Sequence, residues 1–430
     1  MLKGRGVDMR VFDVFTPTGV PTYTYVDRSA HNLEEQLRNA IRTPGMIAAL
    51  SGPSKSGKTV LIRKVIDADN LITVSGAAIT DPTHLWERVL NWMEAPSSTT
   101  HTIGNTFSGE LTGKAQAAAG IVIAKAQVEA EGKAGYEHER AKERVFERAG
   151  IDQVVREIGG SDFVVFVDDY HYMPKDVQVA VGRQIKEAAE RGINICTASV
   201  PHRKDDVVRG NAELRGRVQG IDFEYWSTAD IREIAEQGFD ILGVRLPEFA
   251  LDRMADEAFG SPQLMQQICL QACMRLGIDG QSEPTRDVPV SEGDLTKVFE
   301  QASTTTDFSS LLEGLHEGPK QRGSTRNQFA FTDGTQGDVY RCILLALRQS
   351  PPRLSFPYAE IYDRTRAVCV KEAPPGSSIA SALDQMPEIA SDLEPNAPII
   401  EWGDDVLDIV DPYFLYYLRC SPRLMSLAKS

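Results

Sequence analysis

The sequence predicts an α/β fold in which a parallel sheet is flanked by helices. Short apolar segments alternate with longer amphipathic ones over the first half of the chain, such as residues 46–50 and 59–67. A glycine-rich loop joins these two segments, and another apolar segment, 163–167, runs directly into two aspartates. This alternation is typical of parallel sheets, which are covered by helices on both faces.

The elements follow in a regular order. A helix is expected over 31–42, where Leu33, Leu37 and Ile41 recur at four-residue spacing. The other segments of the first half are short apolar strands and longer helices: strand 46–50, helix 59–67, strand 71–74, helix 84–93, strand 163–167, helix 177–191 and strand 193–199. The pattern from 228 to 277 is helical throughout.

Length and composition indicate a multidomain globular protein. The chain has 430 residues, of which 42% are hydrophobic and 25% charged, so two to four domains are expected. The expected segments are an extended N-terminal part at 1–30, a core at 31–227, a lid at 228–282, an irregular linker at 283–336 and a C-terminal domain at 337–430. No run of 18 apolar residues occurs and residues 1–10 lack a signal pattern, so a cytoplasmic protein is expected and a membrane partner is not.

Charge and cysteine content narrow the function classes. The formal net charge is −15, which disfavours nucleic acid as a partner unless a local basic patch exists. The six cysteines show no zinc spacing, and free thiols fit a reducing compartment. Cys269 and Cys273 lie one helical turn apart and form either a metal pair or, as favoured here, buried core thiols.

An insert at 95–140 interrupts the order of strands and helices. Between Phe107 and Tyr136 the residues alternate with a period of two on both sides of Gly120, which favours a long β-hairpin. Alternatively, residues 115–148 form an alanine-rich helix broken by glycines. A hairpin of this length would line the channel of an oligomer or contact a partner.

The glycine-rich loop matches the P-loop pattern G-x-x-x-x-G-K-[ST] at every specified position. It consists of Gly52, Pro53, Ser54, Lys55, Ser56, Gly57, Lys58 and Thr59, with Val60 continuing the helix. Glycines let backbone N–H groups turn around phosphate oxygens, and the helix N-terminus adds positive potential. Lys58 is therefore expected at the β- and γ-phosphates of ATP and Thr59 on Mg²⁺. The alternative is a chance glycine-rich turn.

The second motif is the pair of aspartates that follows the apolar strand 163–167. Ligands bind at the carboxyl ends of strands in such sheets, where Asp168 is expected to hold Mg²⁺ through a water. Asp169 is expected to orient or activate the attacking water, or alternatively to be a turn residue or helix cap. Because aspartate is shorter than the glutamate often found there, hydrolysis is expected to be slow.

These motifs resemble the AAA+-related STAND class of signalling ATPases and the origin-recognition-type ATPases. The resemblance covers most of residues 20–282 and, more weakly, the C-terminal segment. Residues 167–171, Val-Asp-Asp-Tyr-His, are similar to the second acidic motif of STAND regulators. The segment 25–28 is similar to the one that flanks the adenine, which implies Val26 and Arg28 near the base. Gly260-Ser261-Pro262 resembles the Gly-x-Pro element of the lid, which implies Pro262 against the nucleotide, unless it is only a turn between helices.

The resemblance also implies two further catalytic positions. The family places a polar sensor of the γ-phosphate after the next strand, where Ser199 and Arg203 both fit. Arg217, which directly precedes Val218, falls where origin-recognition-type relatives carry an arginine finger. Alternatively, Arg217, like Arg215 in the same segment, is only the solvated end of a helix.

The C-terminal domain reads as helices followed by a two-stranded wing. Helices are expected at 339–349, 358–368 and 377–386, and the strands 399–402 and 406–409 flank a Gly403-Asp404-Asp405 turn. This order predicts a winged-helix-like α+β domain, and residues 411–419 resemble its end in archaeal-type STAND ATPases. Helix 377–386 lacks lysine and arginine and the wing tip is acidic, so DNA is disfavoured. The resemblance implies instead that this domain holds the ATPase closed.

Three functions remain open on this basis. The first is a nucleotide switch in which ATP binding releases the lid and C-terminal domain, and Arg217 of one subunit meets the γ-phosphate of the next in a homo-oligomer. The second is a DNA-associated ATPase of the origin-recognition or transposition type, and the third is a structural partner that binds ATP with little turnover. The first is favoured, with ATP, ADP and Mg²⁺ as ligands and a protein trigger or effector that the sequence does not identify.

Overall fold

The computed structural model describes residues 9–28, 31–94, 98–101, 144–147, 150–200, 214, 216–320, 326–395 and 398–428. The chain forms two compact units. The first, here called the lid unit, comprises Met1–His31, Gly52–Val60 and Phe223–Ser430. The second, the sheet unit, comprises Asn32–Ser51 and Leu61–Asp222.

Strands and helices alternate as expected in the first half of the chain. The described strands are β1 (Ile47–Ser51), β2 (Leu71–Ser75), β3 (Ser98–His101), β4 (Arg144–Glu147), β5 (Val164–Asp168), β6 (Asn194–Ser199), β7 (Val218–Asp222), β8 (Val244–Arg245), β9 (Arg286–Asp287), β10 (Phe329–Ala330), β11 (Gln336–Gly337), β12 (Ser355–Pro357), β13 (Ile400–Gly403) and β14 (Val406–Ile409).

The described helices are α1 (Val11–Val14), α2 (Leu33–Arg42), α3 (Lys58–Val65), α4 (His84–Trp92), α5 (Ile151–Ile158), α6 (Lys175–Glu190), α7 (Thr228–Ile241), α8 (Glu248–Glu257), α9 (Pro262–Arg275), α10 (Glu292–Ser303), α11 (Ser309–Glu317), α12 (Val339–Leu347), α13 (Tyr358–Val368), α14 (Gly376–Leu393), α15 (Pro412–Cys420) and α16 (Arg423–Ser426). Among them, none is both long enough and apolar enough to span a membrane.

The sheet unit is built on a five-stranded parallel sheet in the order β2-β5-β6-β1-β7. All five residues of β1 are buried. Side chains of one face form a core with α4, α5 and α6, and α2 packs on β1, β6 and β7. The predicted α/β fold with a helix-flanked parallel sheet is therefore confirmed.

The carboxyl ends of β1, β2, β5 and β6 lie at the same end of the sheet, which is called the carboxyl edge here. Ser51, the last residue of β1, is in register with Ser199, the last residue of β6. Asp168 ends β5 opposite Ser75. Because parallel strands share one direction, these carboxyl ends meet at the same edge, and the glycine-rich loop follows Ser51 covalently.

The N-terminal segment of the lid unit is fixed to the lid by a buried glutamine. The Gln266 amide accepts a hydrogen bond from the Thr16 N–H at 3.1 Å and donates one to Thr24 Oγ1 at 2.6 Å. The rings of Phe15 and Phe239 pack 5.1 Å apart. A side chain at position 238 would meet Phe15 at 2.3 Å, so glycine at that position lets the segment lie directly on α7.

The C-terminal part of the lid unit runs α12, β12, α13, α14, β13, β14 and then α15. Its three strands are antiparallel in the order β12-β14-β13. The expected hairpin turn is present, because Asp404 and Asp405 both have positive φ, 50° and 59°, as a two-residue turn of this kind requires. The helix expected at 377–386 is longer, spanning Gly376–Leu393.

Two expectations are corrected by the described residues. The irregular linker expected at 283–336 contains α10 and α11, whose apolar sides are buried, so composition alone was misleading there. The helical stretch 228–277 is interrupted by β8, which pairs in parallel with β9. In the insert, β3 and β4 pair antiparallel, whereas the hairpin predicted between Phe107 and Tyr136 lies outside the described residues.

Candidate functional site

The glycine-rich loop has the backbone of an anion-binding nest. Lys55 and Gly57 have φ of 61° and 98°, and alternation between right- and left-handed residues turns successive N–H groups inward. A Cβ at Gly52 would lie 2.4 Å from Phe223, so only glycine fits at the start of the loop. Helix α3 begins at Lys58, which adds the positive end of its dipole.

The Lys58 ammonium lies over its own loop. Its Nζ donates to the carbonyl oxygens of Gly52 at 2.8 Å and Pro53 at 2.7 Å, and the residue is 8% exposed. Its two acceptors are neutral carbonyl oxygens, and a charged acceptor such as a phosphate oxygen forms a stronger hydrogen bond with an ammonium. Pro53, Ser54, Thr59 and Val60 are half-buried around this point.

Two buried polar side-chain atoms, one in the loop and one in the N-terminal segment, have no hydrogen-bond partner among the described residues. The hydroxyl of Ser56 is buried, with the residue 2% exposed, and has no hydrogen-bond partner within the described part of the chain. The same holds for Nε of Arg28. Buried polar atoms are nearly always satisfied in native proteins, so these two atoms stand out as groups with unused hydrogen-bonding capacity.

Arg28 and Val26 lie where the N-terminal segment meets the start of the lid. Val26 is buried in the lid core. The guanidinium of Arg28 lies 5.2 Å from the ring centroid of Trp226, and its Nη1 donates to the Glu224 carbonyl at 3.4 Å. Burial lowers the pKa of this guanidinium. Trp226 was not predicted as a site residue, because a lone tryptophan before a helix cap gives no local signal.

Pro262, which the resemblance implied to lie against the nucleotide, lies beside the loop. It is the first residue of α9, and its Cγ would be 4.0 Å from a Cβ at Gly57. The preceding Ser261 caps the same helix by accepting the Leu264 N–H at 3.3 Å. The start of α9 thus contacts the phosphate loop within the lid unit.

In the sheet unit, the two aspartates have different environments. Asp168 Oδ1 accepts a hydrogen bond from the Asp169 N–H at 3.0 Å. The backbone of Asp169 is in the left-handed conformation, with φ of 54°. Asp169 precedes a short helical turn at Tyr170–Tyr172, but its carboxylate makes no capping hydrogen bond to that turn. The alternative role as a side-chain cap is therefore not what the structure shows. A Cβ at Gly76 would approach the Asp169 carbonyl oxygen to 2.3 Å, so glycine there lets this turn pack closely.

The two sensor candidates differ in what the structure describes. Ser199 ends β6 at the carboxyl edge, and the next backbone N–H, of Val200, donates to His171 Nδ1 at 3.3 Å. The histidine of the second acidic motif therefore supports the loop after β6, a connection the sequence pattern did not indicate. Arg203 lies outside the described residues.

Arg217 lies at the opposite edge of the sheet. It precedes β7, its carbonyl accepts the Ile47 N–H at 2.7 Å, and its Nη2 is 3.0 Å from Glu190 Oε1. Both side chains are about two-fifths exposed, 42% and 41%, and such surface pairs contribute only about 0–1 kcal/mol. The guanidinium is thus held loosely and at the surface.

The described residues contain no cluster of three or more His, Cys, Asp or Glu side chains that could hold a metal. Of the two metal ligands expected from the sequence, Thr59 belongs to the lid unit and Asp168 to the sheet unit. Cys269 and Cys273 are buried in the lid core, where burial raises both pKa values, that of Cys273 to about 12. They are packed as core thiols.

The loop, sheet and acidic strand end can be compared with known proteins. Cdc6p of Pyrobaculum aerophilum is 16% identical over 98% of this chain and 100% of its own, with a TM-score of 0.41. A Walker-type ATPase of Pyrococcus abyssi is 14% identical over 92% and 96%, with a TM-score of 0.46. The RuvB Holliday junction branch migration motor of Thermotoga maritima is 11% identical over 89% and 92%, with a TM-score of 0.38.

No family model matches this chain, and no curated protein matches its sequence. The conclusion therefore comes from the chain itself. A complete phosphate loop follows the first strand of a parallel sheet, and an aspartate pair ends another strand at the same edge. The chain has an α/β fold with a helix-flanked parallel sheet, and the G-x-x-x-x-G-K-[ST] loop directly follows its first strand.

Proposed function

We propose that this protein binds ATP with Mg²⁺ and hydrolyses it as a nucleotide-dependent switch of the AAA+ or STAND type. The observation that carries the proposal is the phosphate loop, in which the Lys58 ammonium is folded over the loop and the Ser56 hydroxyl is buried without a described partner. Both groups match a polyphosphate in charge and hydrogen bonding.

The proposed chemistry divides between the loop and the aspartates. Lys58 exchanges its two carbonyl acceptors for β- and γ-phosphate oxygens. Thr59 and Asp168 would hold Mg²⁺, which when bound neutralises charge on those oxygens. Asp169, whose carboxylate makes no capping bond, accepts a hydrogen bond from the attacking water and orients it. Val26 and Arg28 flank the base.

Arg217 is proposed to act on a neighbouring copy. Strand β7 has five residues, which separates Arg217 from the carboxyl edge of its own sheet by about 17 Å at ~3.3 Å per residue. A side chain at the opposite edge of its own sheet can serve a γ-phosphate only in another subunit. The surface pair with Glu190 is weak enough to be exchanged for that contact.

The C-terminal part of the lid unit is proposed to be a winged helix that keeps the loop closed. The order of helices, strands and wing supports that architecture. Asp411 lies close enough to Lys55 of the phosphate loop for the lysine to lower its pKa, although burial raises that pKa more strongly. A buried ion pair between Glu257 and Arg419 joins this part to the lid.

DNA binding is not favoured by this part of the molecule. Helix α14 contains no lysine or arginine. Its Asp384 accepts a hydrogen bond from Trp402 of the wing at 2.8 Å, and the wing turn consists of Asp404 and Asp405. Phosphate contacts need the opposite charge.

Calorimetric titration of ATP with Mg²⁺ tests the proposal. Lys58→Ala should weaken ATP at least about a hundredfold, because two charge-assisted hydrogen bonds at about 1.5–3 kcal/mol each are lost. Arg63→Ala is the matched control, since it removes an exposed positive charge from the same helix and should leave affinity within about twofold. Equal ATP affinity in the wild type and Lys58→Ala would rule out the phosphate-loop assignment.

A further inference from the structure

Two side chains of the lid contact consecutive carbonyls of the phosphate loop. The indole Nε1 of Trp226 donates to the Ser56 carbonyl at 2.9 Å. The hydroxyl of Ser261 donates to the Lys55 carbonyl at 3.5 Å. These residues belong to the lid unit together with the loop, and neither contact follows from the motif.

A held carbonyl fixes the N–H on the other side of the peptide. In a trans peptide the C=O and the following N–H point in opposite directions within one rigid plane. When Trp226 holds the Ser56 carbonyl outward, the Gly57 N–H points the other way, into the loop. The Ser261 contact orients the Ser56 N–H in the same manner.

This peptide needs an external anchor. Gly57 has φ of 98°, and glycine adopts positive and negative φ with similar ease, so the adjacent peptide can rotate at little cost. A rotated peptide would turn its carbonyl oxygen toward the phosphates and repel them. The orientation of the Ser56–Gly57 peptide therefore decides whether the loop can bind an anion.

Trp226 is itself held in place on several sides. The backbone N–H of Trp226 donates to the Gly260 carbonyl at 3.2 Å. A Cβ at Gly260 would approach the Trp226 carbonyl oxygen to 2.8 Å. The Arg28 guanidinium lies over the ring, and ring atom Cζ2 would be 3.9 Å from a Cβ at Gly57. The indole is a rigid support for the loop.

We propose that Trp226 is a positioning residue for polyphosphate binding, which holds the Ser56–Gly57 peptide with its N–H directed at the phosphates. The proposal rests on the proposed ATP binding and deepens it, because it assigns to the lid a share of phosphate affinity that is independent of the base. Movement of the lid then changes the loop's affinity without any lid residue touching a phosphate.

Trp226→Phe tests this role, because it keeps an aromatic ring and removes the N–H. Affinities for ATP and for inorganic tripolyphosphate, which has no base, are measured by calorimetry. Both should weaken by the same factor, about two- to tenfold for one neutral hydrogen bond. Replacement of Trp226 by 3-benzothienylalanine, which keeps the bicyclic shape and lacks the N–H, should give the same loss. Trp402→Phe, which removes the indole bond to Asp384, should change neither affinity.

The other outcomes overturn the proposal in distinguishable ways. A loss for ATP with unchanged tripolyphosphate affinity would make Trp226 a contact for the base. A loss with phenylalanine that benzothienylalanine does not reproduce would assign the effect to ring packing, and unchanged affinities in both variants would show that the loop needs no anchor. If the wild type binds neither ATP nor tripolyphosphate, the proposed function itself fails.

Discussion

The adjacent carboxylates at the end of β5 lie in different backbone conformations. Asp168 continues the strand and accepts the N–H of the next residue. Asp169 turns into a left-handed conformation, which aspartate tolerates better than most residues. This difference in backbone conformation is the basis on which we propose different roles for the two carboxylates.

We expect Asp169→Asn to keep ATP bound and to slow its hydrolysis. The amide is nearly the same size but is a poorer acceptor for the attacking water, whereas Asp168 is unchanged. The measurement is single-turnover hydrolysis beside ATP affinity, with Asp168→Asn as the comparison, which should lower Mg²⁺-dependent affinity. Normal turnover per bound ATP combined with weaker binding in Asp169→Asn would reverse the two roles.

At the scale of elements, α8 and α15 are joined by a buried ion pair. The Arg419 guanidinium donates to both carboxylate oxygens of Glu257 at 2.8 and 2.9 Å, and the two side chains are 7% and 4% exposed. Arg419 also donates to the Gln349 carbonyl at 3.0 Å. This one side chain therefore ties the lid to the C-terminal part.

We expect Arg419→Met to destabilise the protein by about 3 kcal/mol, the lower end for a broken buried pair, because Glu257 keeps only the longer contact with Arg253 at 3.7 Å. Urea unfolding measures the loss. Arg191→Met, which breaks exposed pairs with Asp152 and Glu187, is the control and should cost less than about 1 kcal/mol. If Glu257→Gln in the Arg419→Met background recovers none of the lost stability, the ion pair is not the cause.

Elements with a strong local signal could be predicted from sequence, and those that depend on distant contacts could not. Strands β1 and β5 are apolar runs, and α2 carries apolar residues at helical spacing. In each case the local sequence alone indicates which residues are buried. Helix α10 has a capping box at Ser291 and Asp294, but the polar composition around it concealed the signal. The Trp226 contact joins residues 170 positions apart, so no pattern in the chain records it.

At the scale of the whole molecule, assembly is the part of the proposed function that depends on more than one copy. Arg217 directly precedes β7, so it lies at the amino-terminal end of the parallel strands, opposite the carboxyl edge. Under the proposed function, Arg217 therefore acts on a neighbouring copy and not within its own chain. The net charge of −15 also means that copies repel one another, which added salt screens.

We expect Arg217→Ala to bind ATP normally and to lose most hydrolysis, since removal of an arginine finger typically costs about a thousandfold or more. Lys58→Ala should be inactive because its loop is damaged. Mixing the two variants pairs an intact loop with an intact arginine, so ATPase activity should reappear. Glu190→Ala, which frees Arg217 from its surface partner, is a control that should keep activity. No recovery in mixtures that demonstrably co-assemble would show that Arg217 is structural.

The contacts of Lys58 with its own loop affect the free energy that a ligand can gain there. Because the ammonium is satisfied by the Gly52 and Pro53 carbonyls, the chain without ligand carries no stranded internal cation and incurs no large solvation penalty. Under the proposed function, an incoming nucleotide has to displace these built-in acceptors, which lowers its net gain in binding free energy. The proposal therefore implies that occupancy of the loop follows the concentration of free nucleotide.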